Sequence, residues 1–225
     1  MRVYAKIFLR NSIFFGLFFT TTAQAGSDLQ LWSQFIVQKR VAEQYQLYFE
    51  TQPRITHQIS QLERVLIRPA VGYEFLPNHT LWLGYLWSPA LLSGGRYEQR
   101  FWQQYVHQSH FSPWTLLSRT RLEQRWIENI GGTALRLRQM LRALFPLNED
   151  HSWSLAVWDE IFLNLNSVER GPQAGYDQNR FFAGVSYLPH SKLRIEPGYM
   201  VNHLRLPGGQ IQLNHIFLMM WVWQL

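Results

Sequence analysis

Polar and apolar side chains alternate strictly at the centre of the sequence. Four charged residues occupy every second position of one segment: Arg119, Arg121, Glu123 and Arg125. Successive side chains on a β-strand point to opposite faces, whereas a helix would scatter these arginines around its circumference. The segment is therefore predicted to be a strand with one charged face.

A second alternating segment follows a turn signal. The tetrapeptide Asn129-Ile130-Gly131-Gly132 separates the two segments, and beyond it Arg136, Arg138 and Arg142 alternate with leucine, alanine and Phe145. Paired glycines between alternating segments are typical of a β-hairpin. The pattern predicts a hairpin with one apolar face and one arginine-rich face.

The same alternation recurs along the rest of the chain. Further strand candidates cover residues 29–38, 44–54, 62–75, 80–87, 97–106, 152–164, 179–188, 193–203 and 210–225. With the hairpin this makes eleven strands, but single-chain bacterial barrels normally have an even number. We therefore expect an all-β, antiparallel transmembrane barrel of about 10–12 strands, with twelve preferred and ten next. One residue, Asp159, falls on an otherwise apolar face and fits badly there.

The connections fall into two classes. Residues 76–79, 146–150 and 188–191 are short and polar, whereas residues 88–96 and 167–178 are longer. Outer-membrane barrels have short periplasmic turns and longer outer loops. No linker or change of composition interrupts the pattern, so we expect a single domain.

The N-terminus resembles a secretory signal. Arg2, Lys6 and Arg10 precede a short apolar core, Ile13–Phe19, and Ala23-Gln24-Ala25 is a small-residue cleavage site. We expect residues 1–25 to be cleaved and residues 26–225 to form the barrel. No later segment approaches the roughly 18 unbroken apolar residues of a membrane helix, so the mature chain could enter a bilayer only as a closed barrel.

The composition favours a membrane protein. Hydrophobic residues make up 47%, aromatic residues 16% and charged residues 16% of the 225-residue chain, whereas about a quarter of a soluble domain is charged. Aromatic belts at the membrane interfaces would explain this richness, and most tryptophans fall near predicted strand ends. The chain has no cysteine, which excludes disulfides, thiolate metal sites and cysteine nucleophiles.

The net positive charge is partly a property of the signal. The full chain has a formal charge of +6, but the signal holds three of its 21 basic residues and no acidic residue. The mature chain therefore has a net charge of +3. This small excess does not indicate a nucleic-acid partner.

Two solvents are compatible with the alternating faces. In a soluble barrel the apolar face would form the core, whereas in an outer-membrane barrel it would contact lipid and the arginines would line the lumen. About eight strands enclose a space that side chains can fill, so a larger soluble barrel would leave an apolar hole. Beyond the signal there are sixteen arginines and only two lysines, Lys39 and Lys192, although lysine is the usual residue of solvated edges. Both observations favour the membrane barrel.

Five short motifs occur in a set order along the chain. They are Leu31-Trp32-Ser33, Arg68 to Glu74, Glu98 to Arg100, Arg119 to Arg125 and Asn179 to Gly184. In this order they resemble the bacterial family of unknown function 2490 over essentially the whole mature chain, although no single motif is very specific. The resemblance implies an outer-membrane β-barrel, and it brings no known activity or catalytic residues.

The charged faces are expected to line the lumen. The candidate binding residues are Arg68, Glu98, Arg100, Arg119, Arg121, Glu123, Arg125, Arg136, Arg138, Arg142, Glu160, Arg180, Arg194 and Glu196. Glu50 and Glu74 share this face, yet arginine remains in excess. One interpretation is structural, with Arg–Glu ladders that plug a non-conducting barrel of structural or adhesive duty. The other is a small porin-like channel or transporter whose positive field favours anionic solutes.

A lipid-modifying enzyme is the third interpretation. None of the eight histidines lies in a nucleophile-elbow or zinc-protease motif, and the pair His107 and His110 lacks a suitably spaced acid. We therefore expect no enzymatic activity, no metal and no cofactor. The expected partners are outer-membrane lipid, the barrel-assembly machinery and small anionic solutes.

Overall fold

The computed structural model describes residues 24–89, 91 and 96–225 as a closed β-barrel. Residues 1–23 of the expected signal lie outside this range, and Gln24 and Ala25 begin the first strand. The eleven strands are β1 Gln24–Arg40, β2 Tyr45–Thr56, β3 Gln61–Leu76, β4 His79–Ser88, β5 Glu98–Phe111, β6 Trp114–Ile127, β7 Ala134–Pro146, β8 Trp153–Asn164, β9 Gly175–His190, β10 Leu193–Arg205 and β11 Ile211–Gln224. Within the described residues, no helix is long and apolar enough to cross a membrane.

The barrel closes between its first and last strands. Consecutive strands are antiparallel, but β1 and β11 form a parallel pair with Leu29 opposite His215 and Gln38 opposite Gln224. The predicted all-β barrel of about 10–12 strands is therefore confirmed, with eleven strands. The preference for an even number, twelve first and ten next, is wrong, and the closing pair is parallel rather than antiparallel. Because an odd number of strands sends the first and last in the same direction, the hydrogen-bond ladder can close only in parallel.

The two rims carry different connections. The short-turn rim is formed by residues 41–44, 77–78, 112–113, 147–152 and 191–192. The long-loop rim is formed by residues 57–60, 128–133, 165–174 and 206–210, together with the described residues 89, 91, 96 and 97 between β4 and β5. The predicted division into short turns and longer loops is confirmed. Since the strand number is odd, β1 begins at the long-loop rim and β11 ends at the short-turn rim.

The outer surface of the barrel is apolar. Phe49, Val71, Leu83, Phe181 and Phe217 lie on five different strands, and each exposes between 48% and 50% of its surface. Charged side chains are instead buried inside. An apolar exterior around a charged interior is the arrangement of a membrane-spanning barrel, in which the outer face contacts lipid. The apolar face of the strands therefore lies on the outside of the barrel and the charged face on the inside, as the low lysine content indicated.

Four tryptophans lie inside the barrel. Trp32, Trp82, Trp102 and Trp158 are each at most 8% exposed, so the prediction that tryptophans mainly form interfacial belts is wrong for these four. Glycines on adjacent strands make room for some of these rings. A Cβ atom at Gly84 would come within 2.2 Å of the Trp102 indole.

We expect Gly84→Ala to destabilise the barrel by about 1–3 kcal/mol, because overpacking would displace the buried Trp102 ring. The matched control is Gly131→Ala, where an added Cβ has no heavy atom within 4 Å. Urea titration of the refolded proteins, followed by heat-modifiable gel mobility, measures both changes. Equal midpoints for the two variants would show that the Gly84–Trp102 contact is unimportant for stability.

Candidate anion-binding lumen

All fourteen candidate residues project into the lumen. The alternation on each strand places them there, and twelve of the interior charged groups are buried: Glu50, Arg68, Glu98, Arg100, Arg121, Glu123, Arg125, Arg136, Arg138, Arg142, Glu160 and Glu196. The side chains of Arg119 and Arg194 are 22% and 31% exposed, and each lies within 4.0 Å of a buried glutamate. Arg180 lines the same interior space.

Glu123 is the centre of the densest group of charges. Its carboxylate is 2.6 Å from the Arg136 guanidinium and 2.7 Å from that of Arg138. Arg100 and Arg121 lie farther away, at 3.7 and 3.9 Å. The carboxylate is only 1% exposed, so the four positive charges surround it in an environment with little solvent. Removing such a partner from a buried network leaves uncompensated charge, which is strongly destabilising.

Three further glutamates repeat this arrangement around the wall. Glu98 accepts hydrogen bonds from Arg100 and Arg125 at 2.8 and 2.7 Å. Glu160 binds Arg138 and Arg119, both at 2.8 Å. Glu196 accepts a hydrogen bond from Arg142 at 2.7 Å, across strands far apart in sequence. Arg–Glu ladders therefore link neighbouring strands and also reach strands that are not adjacent in the sheet, such as β7 and β10, as the structural interpretation of the sequence predicted.

The ladders divide the interior into two cavities. The long-loop cavity has a volume of about 760 Å³ and is lined by residues such as Arg96, Arg170 and Asp177. The short-turn cavity has a volume of about 570 Å³ and extends from Gln224 at the rim to Trp32. No described residue lines both cavities.

A closure layer separates the two cavities. It consists of Arg100, Glu123, Arg136 and Phe162, none of which lines either cavity. The Phe162 ring has no exposed surface, and the Arg136 and Arg138 guanidinium carbons lie 5.1 and 4.4 Å from its centre. Ion pairs and one aromatic ring on β5 to β8 therefore lie between the two cavities.

The deep end of the short-turn cavity has an excess of positive charge. The guanidinium carbons of Arg54 and Arg180 lie 3.6 and 5.0 Å from the centre of the Trp32 ring. Neither arginine has a carboxylate within 4.0 Å among the described residues. Arg54 donates only to the Gln52 side chain, at 2.7 and 3.1 Å.

The electrostatic neighbours of Arg54 have the same sign. The charged groups that act most strongly on it are Arg180, Arg68, Arg64 and Arg100. In addition, the buried Nε atoms of Arg68 and Arg180 have no hydrogen-bond partner within the described part of the chain. Guanidinium groups that have unused N–H donors and like-charged neighbours can donate pairs of hydrogen bonds to a carboxylate or a phosphate. The site is therefore suited to an anion.

Sequence reasoning missed three members of the lumen. Arg54 and Arg64 lie directly opposite one another on β2 and β3, and their strand positions share the parity of Glu50 and Arg68, which would have placed them inside.

Asp177 binds Arg136 at 2.8 Å. It points inward because a register shift beside Phe162 displaces this end of β9, and the regular alternation of the sequence carries no sign of that shift.

The histidines form a different pair from the one that the sequence suggested. His107 lies beside His79, with their Nδ1 atoms 3.2 Å apart, and its Nε2 atom contacts Ser109 at 2.7 Å. His110 instead contacts Gln108 and Thr115. The pair lies on the outer surface near the short-turn rim, away from the arginines of the lumen.

Residues 29–213 match the family described as "Protein of unknown function (DUF2490)". The chain belongs to this family. The resemblance that the five motifs suggested is thus confirmed over most of the barrel, from β1 to the beginning of β11.

A relative and a solved structure extend the comparison. The chain is 34% identical over 199 residues to an uncharacterized protein of Methylorubrum extorquens strain AM1, and the alignment covers 87% of each chain. It is also similar to a loop L8 deletion mutant of OmpT, an outer membrane protein of Vibrio cholerae, with 10% identity and a TM-score of 0.41. That alignment covers 70% of this chain and 56% of the OmpT mutant, so the chain spans little more than half of that structure.

Proposed function

We propose that this DUF2490 member is an outer-membrane β-barrel that is closed at rest and binds small anionic solutes in its short-turn cavity. The observation that carries the proposal is the surplus of arginine at the deep end of that cavity. Arg54 and Arg180 flank Trp32 without a carboxylate partner, and their strongest charged neighbours include other arginines. An anion that enters would supply the missing negative charge.

The closure layer supports binding over free conduction. A channel needs a continuous path, whereas the buried Glu123 and Phe162 lie between two cavities that share no lining residue. In this proposal the short-turn cavity is a cup with a single mouth. If short turns face the periplasm, as in bacterial barrels, the solute enters from that side.

The arginine side chain specifies the chemistry of the solute. Its planar fork matches the two oxygens of a carboxylate or a phosphate. The Trp32 ring lies beside both guanidinium groups, so it holds them in place without neutralising their charge. The best ligands are therefore compact oxyanions that can bridge Arg54 and Arg180.

We expect Arg54→Gln to abolish anion binding without lowering the stability of the barrel. The substitution removes one of several like charges, so it should leave the unfolding midpoint in anion-poor buffer unchanged or raise it. Inorganic phosphate should raise the wild-type midpoint at constant ionic strength, with a stabilisation of about 2.7 kcal/mol at a hundredfold excess over the Kd. The variant should lose this dependence on phosphate.

The matched control for this experiment is Arg170→Gln in the long loops. The Arg170 side chain is 83% exposed and lines the opposite cavity, so phosphate should stabilise that variant as it stabilises the wild type. An Arg54→Gln protein with an unchanged response to phosphate would contradict the proposed site. A large loss of stability in anion-poor buffer would instead assign Arg54 a structural role.

A further inference from the structure

The outer surface of the barrel carries a group of polar side chains that the lumen does not explain. This outer polar patch comprises Gln103, Thr120, Gln124, Gln139, Asp159 and Asn179 on β5 to β9. Each of these residues lies between two inward-facing neighbours, so its own side chain faces outward. The corresponding positions on β2, β3, β4 and β11 include the large apolar residues Phe49, Val71, Leu83 and Phe217.

Asp159 is the most unusual member of the outer polar patch. It is near the middle of β8, and its carboxylate accepts hydrogen bonds from the Asn179 amide at 3.0 and 3.1 Å. In the described part of the chain no cation pairs with it within 4.0 Å. An ionisable residue on a membrane-facing surface is costly and usually marks a functional contact, and a carboxylate has more acceptor sites than one amide can fill.

The same patch provides the complementary donors. Gln103 and Gln124 form a reciprocal amide pair, with N···O distances of 3.2 and 3.1 Å. Each amide uses one of its two N–H bonds in this pair, so each retains a second donor. The patch therefore contains both an acceptor without sufficient donors on β8 and spare donors on β5 and β6.

A row of smaller side chains lies two positions along the strands from Asp159, which is itself directly opposite the exposed Leu141 and Phe181. Ala143, Val157 and Ala183 form a row across β7, β8 and β9, with each residue directly opposite the next in the strand register. In membranes, small residues bring two backbones close together, and polar side chains then form hydrogen bonds across the contact. The row of small residues and the polar groups, with Leu141 and Phe181 on either side of Asp159, make up the surface available for such a contact.

We propose that two copies of this chain associate side by side in the membrane through the outer polar patch. A two-fold axis along the membrane normal beside β7 brings Gln139 of the two copies together and sets β8 of one copy against β6 of the other. Asp159 then accepts a hydrogen bond from the spare amide donor of Gln124 of the partner subunit, and the same contact repeats on the other side. Such a self-complementary surface is the requirement of a two-fold dimer.

Cysteine cross-linking tests this arrangement directly, because the natural chain contains no cysteine. Gln139→Cys is expected to give a disulfide-linked dimer in oxidised membranes, since the axis brings its two Cα atoms within the roughly 4.4–6.8 Å that a disulfide requires. The control is Phe49→Cys on β2, on the far side of the barrel and 48% exposed, which should give no dimer band. Co-expression of tagged and untagged chains shows whether both members of the cross-linked pair are this protein, because a mixed dimer gives a band of intermediate size.

Variants of the polar groups then test the hydrogen bonds. Asp159→Leu in the Gln139→Cys background should lose the cross-link while the monomer keeps its heat-modifiable mobility, and Gln124→Leu should do the same from the other side of the contact. Equal cross-linking of the Phe49→Cys and Gln139→Cys proteins would overturn the proposal, as would a cross-link to a different protein. A dimer band that survives both leucine variants would also overturn it.

Discussion

Replacing Glu123 by alanine is expected to destabilise the barrel by about 3–5 kcal/mol, the usual cost of breaking a buried ion pair from one side. The Glu123 carboxylate is 1% exposed and lies within 3.9 Å of four guanidinium groups. Without it, Arg136 and Arg138 would keep partners in Asp177 and Glu160, but the group as a whole would lose its central negative charge. Heat-modifiable gel mobility across a urea series measures the loss.

A matched control and a rescue separate charge from packing. Glu149 lies in an exposed turn between β7 and β8, and Glu149→Ala should change stability by less than about 0.5 kcal/mol. Arg121 lies within 4.0 Å of no other carboxylate in the described residues and is 3.9 Å from Glu123. Adding Arg121→Gln to Glu123→Ala should therefore recover part of the lost stability. If adding Arg121→Gln lowers the stability further, repulsion among the arginines does not explain the destabilisation by Glu123→Ala.

The second large effect is expected at Phe162. The wild-type protein should give no steady current in a planar bilayer, and Phe162→Ala should give single-channel currents that favour anions. The Phe162 ring has no exposed surface and lies in the closure layer between the two cavities. Its removal would connect them through a passage surrounded by arginines, and such positively charged passages select anions.

Phe181→Ala is the matched control for the conductance experiment. Phe181 lies on the neighbouring strand β9, faces outward and is 49% exposed, so the same loss of a ring should not produce current. The reversal potential in a salt gradient gives the sign of the selectivity. A steady current from the wild-type barrel would show that the closure layer does not close the lumen. A cation preference in Phe162→Ala would contradict the positive field.

Much of this architecture follows from the period-two pattern alone. The charged positions are odd-numbered on β6 and even-numbered on β7, and this regular alternation within each strand was sufficient to place Arg119 to Arg125 and Arg136 to Arg142 in one lumen. The same rule applied to β2 would have added Arg54, whose parity matches that of Glu50. Asp159 also stood out in the sequence as a misfit on an apolar face, and the structure places it outside, beside Asn179.

Other features depend on contacts between distant segments and have no local signal. The parallel pairing of β1 with β11 joins opposite ends of the chain, and nothing in either strand specifies the direction of its partner. The inward position of Asp177 results from a register shift between β8 and β9. The closure layer likewise depends on which arginines meet across the lumen, and the alternation within a single strand cannot show that.

The most direct test of the central claim is the gel mobility of the mature protein in purified outer membranes, with and without boiling. The protein is expected in the outer-membrane fraction, and its gel mobility is expected to change on boiling, because the closed barrel resists detergent until it is heated. A soluble periplasmic protein without such a shift would contradict this expectation. The arginine face would then be a solvated surface, and both the anion site and the contact within the membrane would be excluded.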